Sequence, residues 1–266
     1  MRKDYKVLWW MPDNGPWGPA AEEQYVSEGY EGVFWRLPRS SKNVTVDALL
    51  NLPRLRFVEI QGPVVDDTPL FTVPTVEELI LLTRNRQPVP DIASTSRLGR
   101  LGIDDRPRLD GLRAAPALRE LLVWGWRGTD FGFVSPDLTN LTMEGTRRVV
   151  SLSGLDQCHH LSRIRLTGTR VESLRPLAGL GHLRSIEIIG HYRITEHVQL
   201  DLADLRLLSN LEVLTVTYGG TIRSLAPLTE MPNLREVRLR GTTIADGDLT
   251  PLDALSEHAT VVGPDE

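Results

Sequence analysis

The chain has 266 residues, 41% of them apolar and 24% charged, with a formal net charge of −5. Such a chain can bury a sizeable core, while its acidic balance excludes a general binder of nucleic acid or anionic membrane, which relies on a basic field. Its one cysteine excludes a disulfide framework and a cysteine-based zinc cluster.

In chain order, the first six residues are mostly charged, and the apolar run from Val7 ends at Pro12. That run is too short for a secretion signal or a membrane span, so the expected compartment is the cytoplasm. Of the 30 basic residues only Lys3, Lys6 and Lys42 are lysine, an arginine bias that points to GC-rich, bacterial coding. Residues 1–45 hold four of the six tryptophans, Trp9, Trp10, Trp17 and Trp35. Residues 12–19 read as turn and loop, rich in proline and glycine. Val7-Leu8-Trp9 and Val33 to Leu37 read as short strands.

From residue 46 the chain repeats. The pattern Leu-x-x-Leu-x-Leu begins at Leu55, Val76, Leu98, Leu118, Leu138, Leu161, Leu183, Leu211 and Leu234, at spacings of 21, 22, 20, 20, 23, 22, 28 and 23. All 27 marked positions are apolar, which chance would give roughly once in 10¹⁰. Two further columns keep the register. Six residues earlier stand Leu49, Leu70, Ile92, Leu112, Gly132, Leu155, Leu177, Leu205 and Leu228, where only Gly132 departs. Three residues earlier every side chain is apolar or small, Thr95 and Cys158 among them. Glycine often follows the short strand (Gly62, Gly125, Gly145, Gly168, Gly190, Gly241), as a left-handed turn or a close backbone approach requires. Leu-x-Pro-Leu steps at Leu174, Leu225 and Leu249 suit short turns outside the sheet.

The pattern resembles the leucine-rich repeat family in its bacterial, internalin-type form of about 22 residues, over about residues 46–262. The resemblance implies an α/β fold: a right-handed curved solenoid of about nine to ten coils, with a parallel concave sheet and an irregular or 3-10 convex side. It also implies function by protein recognition. The family's asparagine after the strand is mostly replaced, with Thr146, Thr169 and Thr242 in its place, so a weaker side-chain ladder is expected along that edge. Residues 1–45 are then a Trp-rich N-terminal cap, 46–257 the repeats, and 258–266 a truncated last coil and tail. The cap reading follows because a first coil without a neighbour would expose its apolar end; the competing reading makes the tryptophans a ligand site.

Catalytic signatures are lacking. No Gly-x-Ser-x-Gly elbow, P-loop or Gly-x-Gly-x-x-Gly occurs. His160 and His182 hold one column, but it continues as Asn210 and Asn233, so a structural role is expected and no metal or other cofactor. Cys158 reads as a small core residue.

Phasing supplies the functional expectation. The fourth and sixth positions of each coil face the core, so the third, fifth and seventh face outward from the sheet. Glu78, Arg100 and Glu120 form one ladder of alternating charge, and Arg165 sits beside Glu187. Arg163, Arg238 and Arg240 lack an acidic neighbour in their own columns and remain available for a partner's carboxylate or phosphate. Ile80, Leu82, Leu122 and Trp124 point outward, with Trp126 just beyond the strand; an apolar cluster on a concave surface marks a contact site, unless the N-terminal segment folds over it. Gly102, between Ile80 and Leu122, reads as a recess for a partner side chain, with Asp104 as polar anchor. The sequence thus points to a non-enzymatic module binding a protein or peptide on its concave face. The alternative is an enzyme or small-molecule binder using the Trp-rich N-terminal region. The extra length of the 28-residue coil falls at Gly190 to Gln199, which reads either as an insertion of the kind that often flanks a binding face or as simple length drift.

Overall fold

A computed structural model describes residues 4–92, 97–145 and 147–264; Thr95, Thr146 and the extreme termini lie outside the described residues. The chain forms two compact units, Met1–Trp124 and Gly125–Glu266.

In the first unit, six strands run parallel and in chain order: β1 (Val7–Trp10), β2 (Gly32–Arg36), β3 (Phe57–Gln61), β4 (Glu78–Leu82), β5 (Arg100–Asp104) and β6 (Glu120–Trp126). The unit boundary falls inside β6. Register is kept from strand to strand, so Glu59, Ile80, Gly102 and Leu122 stand side by side. The strands β1 and β2 precede the first repeat and join its sheet. Between them lies helix α1 (Pro19–Ser27), a segment to which the sequence pattern assigns no element; it opens with proline at its first turn and buries Ala21 and Tyr25. A four-residue helical turn, α2 (Asp47–Leu50), leads into β3.

The second unit repeats the plan with β7 (Asn140–Gly145), β9 (Arg163–Thr167), β11 (Ser185–Ile189), β13 (Val213–Thr217), β15 (Glu236–Arg238) and β17 (Thr260–Val262) as one parallel series. Two-residue strands line a second edge. There β8 (Val149–Val150) pairs with β10 (Arg170–Val171), and β14 (Thr221–Ile222) lies between β12 (Gln199–Leu200) and β16 (Thr243–Ile244). The prolines of two Leu-x-Pro-Leu steps open 3-10 turns at Arg175–Leu177 and Ala226–Glu230, and the third opens helix α3 (Thr250–Ser256). Missing an N–H costs nothing there, because the first N–H groups of a helical turn have no partner inside it.

All 27 residues of the Leu-x-x-Leu-x-Leu pattern are at most 1% exposed, so every coil turns the same three side chains inward. Each such burial contributes about 1.5–3 kcal/mol. Where Gly132 breaks the outer column, the neighbouring Phe131 is fully buried in its stead. Of the glycines after strands, Gly168 takes a left-handed φ of 76°. Gly190 instead lies where a Cβ would collide with the Tyr218 carbonyl oxygen. Both uses need the missing side chain, for different reasons. Cys158 is wholly buried, its Sγ 3.6 Å from the Ser135 carbonyl oxygen; burial, then the nearby Asp156 carboxylate, pushes its thiol up to about 11.

A polar cluster is buried in the first unit. Asp67 and Arg106, both side chains without exposed surface, form a bidentate pair at 2.8 and 2.7 Å. Asn85 donates to Asp67 at 2.8 Å and the Thr83 hydroxyl donates to the same carboxylate. The Arg106 guanidinium lies 5.9 Å from the Phe71 ring centroid. Arg106 occupies the ninth position of its coil, the place of the family's asparagine. Thr169, Thr242 and Trp126 hold that place elsewhere and are 1%, 3% and 2% exposed. In these four coils the ninth side chain points inward, whereas Arg84, at the same place in its coil, takes a left-handed φ of 55° and is exposed. The Thr242 hydroxyl keeps one ladder bond there, donating to the Val216 carbonyl at 2.7 Å.

Two stability measurements check this architecture. Leu141→Asp puts a charge into the core row and is expected to cost about 3–5 kcal/mol in urea denaturation, whereas Thr142→Asp, one residue on, costs under about 1 kcal/mol; equal losses would overturn the phasing. Asp67→Leu strands the Arg106 charge and is expected to cost about 3–5 kcal/mol. The double variant Asp67→Leu/Arg106→Met should recover part of that loss, and no recovery would mean that the pair is not the source of the cost.

Candidate functional site

In the first unit the outward face of the sheet is far less open than strand alternation suggests. Phe34, Phe57, Glu59, Glu78 and Ile80 are all under 10% exposed. Strands about 4.8 Å apart crowd in-register side chains on a concave surface, so large neighbours cover one another. Tyr5 adds cover at β3: its ring stacks on Phe57 at 5.9 Å and its hydroxyl donates to Glu77 at 3.3 Å. The Arg56 guanidinium lies 5.3 Å from the same ring. Trp9 stacks on Phe34 at 4.3 Å yet stays 59% exposed. The N-terminal segment therefore folds over part of this face, at β2 and β3.

Several expected contact residues sit differently from their phase. Ile80 points outward but is 8% exposed, hidden by the crowding just described. Trp126 is 2% exposed: its ninth position turns it inward, where its ring meets Phe131 at 4.8 Å and Phe133 at 6.4 Å. It is a core residue of the second unit, not a surface aromatic. Gly102 offers no open recess. A Cβ placed there would fall 2.9 and 3.0 Å from Cζ3 and Cη2 of Trp124, so the indole itself occupies the dip. The glycine makes room for this chain's own tryptophan rather than for a partner side chain. Asp104 is likewise engaged, accepting the Arg84 backbone N–H at 2.9 Å, where Arg84 has a left-handed φ of 55°.

What remains at the surface of β4–β6 is a compact patch. Leu82, Leu122 and Trp124 are half-buried, with Asp104 paired in register to Trp124. The acid–base ladder beside it forms as the columns predict, with Arg100 3.4 Å from both Glu78 and Glu120.

In the second unit the outward face is polar. Arg165 pairs with Glu187 at 2.7 Å. Arg238, expected to be unpaired, bonds Glu236 of its own strand at 2.6 Å; column reasoning looked only across strands and overlooked the neighbour two residues back. Arg163 and Arg240 are exposed and form no ion pair among the described residues. The rings of His160 and His182 stack at 6.1 Å, both exposed. In the same column the Asn210 and Asn233 amides donate to the carbonyls of Gly181 and Ser209 at 2.9 and 2.7 Å. Among the described residues, no three potential metal ligands come together. The insertion forms a turn anchored by buried Ile194, with Tyr192 66% exposed on it.

The Trp-rich segment has a second feature, which the tryptophan content alone only hints at. Segments 12–17 and 35–48 border a half-open cavity of about 530 Å³ beside Trp17 and Trp35. Trp10, Trp17 and Trp35 form a chain of tilted and edge-on rings, 5.7 and 5.5 Å between centroids. Among the described residues, no helix is long and apolar enough to cross a membrane.

The roofing of Gly102 is testable. Gly102→Ala is expected to destabilise by about 1–2 kcal/mol in thermal or urea denaturation, because the Trp124 ring must shift. In a Trp124→Leu background the same change should be neutral or stabilising, since alanine restricts the unfolded chain. An identical cost in both backgrounds would separate the two residues.

No protein-family model matches the chain, and neither does any curated protein. Solved structures do. An internalin (inlF) from Listeria monocytogenes aligns over 93% of this chain and 89% of its own, at 14% identity and a TM-score of 0.50. The leucine-rich repeat protein LIC12759 of Leptospira interrogans aligns over 90% of this chain and 66% of its own, at 16% identity and 0.60. The plant peptide hormone receptor RGFR1, in complex with RGF2, aligns over 84% and 42%, at 11% identity and 0.52. Likeness at such identities is likeness of fold, and it agrees with the repeat register and the parallel sheet: the chain folds as a leucine-rich repeat solenoid, similar in its repeats to the internalins.

Proposed function

We propose that this chain is a recognition module that binds a protein or peptide on the outward face of its sheet, through the patch on β4–β6. The observation that carries the reading is the half-exposed cluster of Leu82, Leu122 and Trp124, whose indole is seated over Gly102. Surface leucines singly mean little, but a contiguous apolar cluster with a fixed aromatic is the usual composition of an interface hot spot. Seating matters because a side chain already held in place loses little entropy on binding. The Arg100 ladder and Asp104 give the patch a polar rim. One structural neighbour is a peptide hormone receptor in complex with RGF2, which lends the fold a precedent for peptide recognition.

The partner chemistry suited to this patch is an apolar or aromatic side chain laid against the exposed side of Trp124. Exposed Arg163 and Arg240 on the second unit are a separate surface, suited to carboxylates or phosphates.

Affinity capture from native lysate, quantified by mass spectrometry, tests the reading when three baits are compared. A true partner is enriched by the wild type and by Arg240→Glu, and lost with Trp124→Ala. Calorimetry with that partner should then show Trp124→Ala weakening binding by ~2 kcal/mol or more. Undiminished affinity in a folded Trp124→Ala protein would remove the patch, and loss with Arg240→Glu alone would move the site to the second unit.

A further inference from the structure

The cavity beside Trp17 and Trp35 has a chemistry of its own, separate from the sheet face. Its volume of about 530 Å³ lies within the roughly 300–1,000 Å³ of small-molecule sites. The walls are apolar and largely flat: two indoles, with Leu37, Pro38 and Val44. The indoles are braced rather than loose. Trp35 is 4% exposed on β2, and Trp17 packs against both Trp35 and Trp10. Trp10 is itself tied by its indole N–H to the Gly15 carbonyl at 3.0 Å.

Two of the polar groups around this space, the Arg36 guanidinium and the Trp17 indole N–H, can only donate. Arg36, exposed at the end of β2, contributes to the lining and has no hydrogen bond or ion pair among the described residues. Among the described residues, no carboxylate side chain lines the cavity. The Trp17 indole N–H is buried without an acceptor, an arrangement that folded proteins rarely leave unanswered. Ser41, Asn43 and Thr45 add hydroxyl and amide groups to the same lining.

Flat aromatic walls suit two ligand classes, and charge separates them. A quaternary or primary ammonium favours indole faces, but Arg36 would repel it and no acid would receive it. An anion with a flat apolar body meets both demands: the ring lies against the indoles and prolines, while the carboxylate reaches the guanidinium, which forms strong charge-assisted bonds to planar oxyanions. We propose that this cavity is a binding site for a small aromatic carboxylate.

The test uses the ¹⁵N-labelled full chain and three probes with one body: 2-naphthylacetate, 2-naphthylacetamide and 2-(2-naphthyl)ethylamine. Indole N–H resonances are followed by NMR, with Trp17 assigned from Trp17→Phe. Naphthylacetate should shift the Trp17 signal with a Kd below about 1 mM, as expected for a fragment of this size. The amide should bind at least about tenfold more weakly and the amine more weakly still. Arg36→Gln, a change at an exposed site, should lower carboxylate affinity to that of the amide. Ala48→Phe, which narrows the cavity, should abolish binding while circular dichroism stays that of the wild type. Equal affinity for the three probes, a preference for the amine, unchanged affinity in Arg36→Gln, or no shift of Trp17 at several millimolar would each overturn the proposal.

Discussion

No coil of this chain can bury its own apolar edge. Each presents three inward side chains and one outer leucine, and only the coils stacked above and below remove them from water. That constraint holds the strands in register, because a slip by one residue would turn the inward row to solvent. Elements outside the nine repeats add to the same inward row. At the start, β1 and β2 supply Leu8, Trp10, Val33 and Trp35 as inward residues, all under 10% exposed. At the other end, α3 buries Leu252 and Leu255 while β17 pairs with β15.

Register then dictates the electrostatics of the surface. Parallel strands bring equal positions side by side, so Arg100 meets Glu78 and Glu120, and Arg165 meets Glu187. The more open Arg165–Glu187 pair contributes at most about 1 kcal/mol, while Glu78, with its side chain 7% exposed, holds Arg100 in a more enclosed place. The Asp67–Arg106 pair differs in kind, because neither side chain reaches water. Replacing such a pair by apolar groups is often neutral, whereas stranding one member is costly. Its effect is therefore one of definition: it ties the turn before β4 to the turn after β5, with Thr83 and Asn85 completing the carboxylate's hydrogen bonds.

The outward faces of the two units offer different chemistry. In the first, crowding and the Tyr5 stack leave little apolar surface open apart from Trp9 on β1 and Leu82, Leu122 and Trp124 on β4–β6; in the second, the exposed groups are mostly charged or hydroxylic. The small cavity of the Trp-rich segment involves neither face. Its prolines and glycine, which read in sequence only as loop, border the space beside the packed rings of Trp17 and Trp35.

Much of the fold was legible in the sequence, since a repeat is a long-range contact map written locally. The inward rows, the outer leucine column, the burial of Cys158 and the charge ladders all follow from counting positions. Counting alone does not separate Arg106 from Arg84: both stand at the ninth position of their coils, yet Arg106 is buried against Asp67 and Arg84 is exposed. Other features have no local trace. Alternation says that Ile80 points outward, but only packing decides that its neighbours cover it. A glycine in a column announces a missing side chain, but whether the space stays empty depends on the rotamer of Trp124 on the next strand. Asp67 finds Arg106 across 39 residues, and the Trp17–Trp35 cavity arises between two loops of no periodicity. Sequence by itself determined what recurs at fixed intervals, because stacking converts an interval into a contact. Tertiary structure alone decided how unlike side chains share the space between coils, because that depends on their shapes and not on their positions.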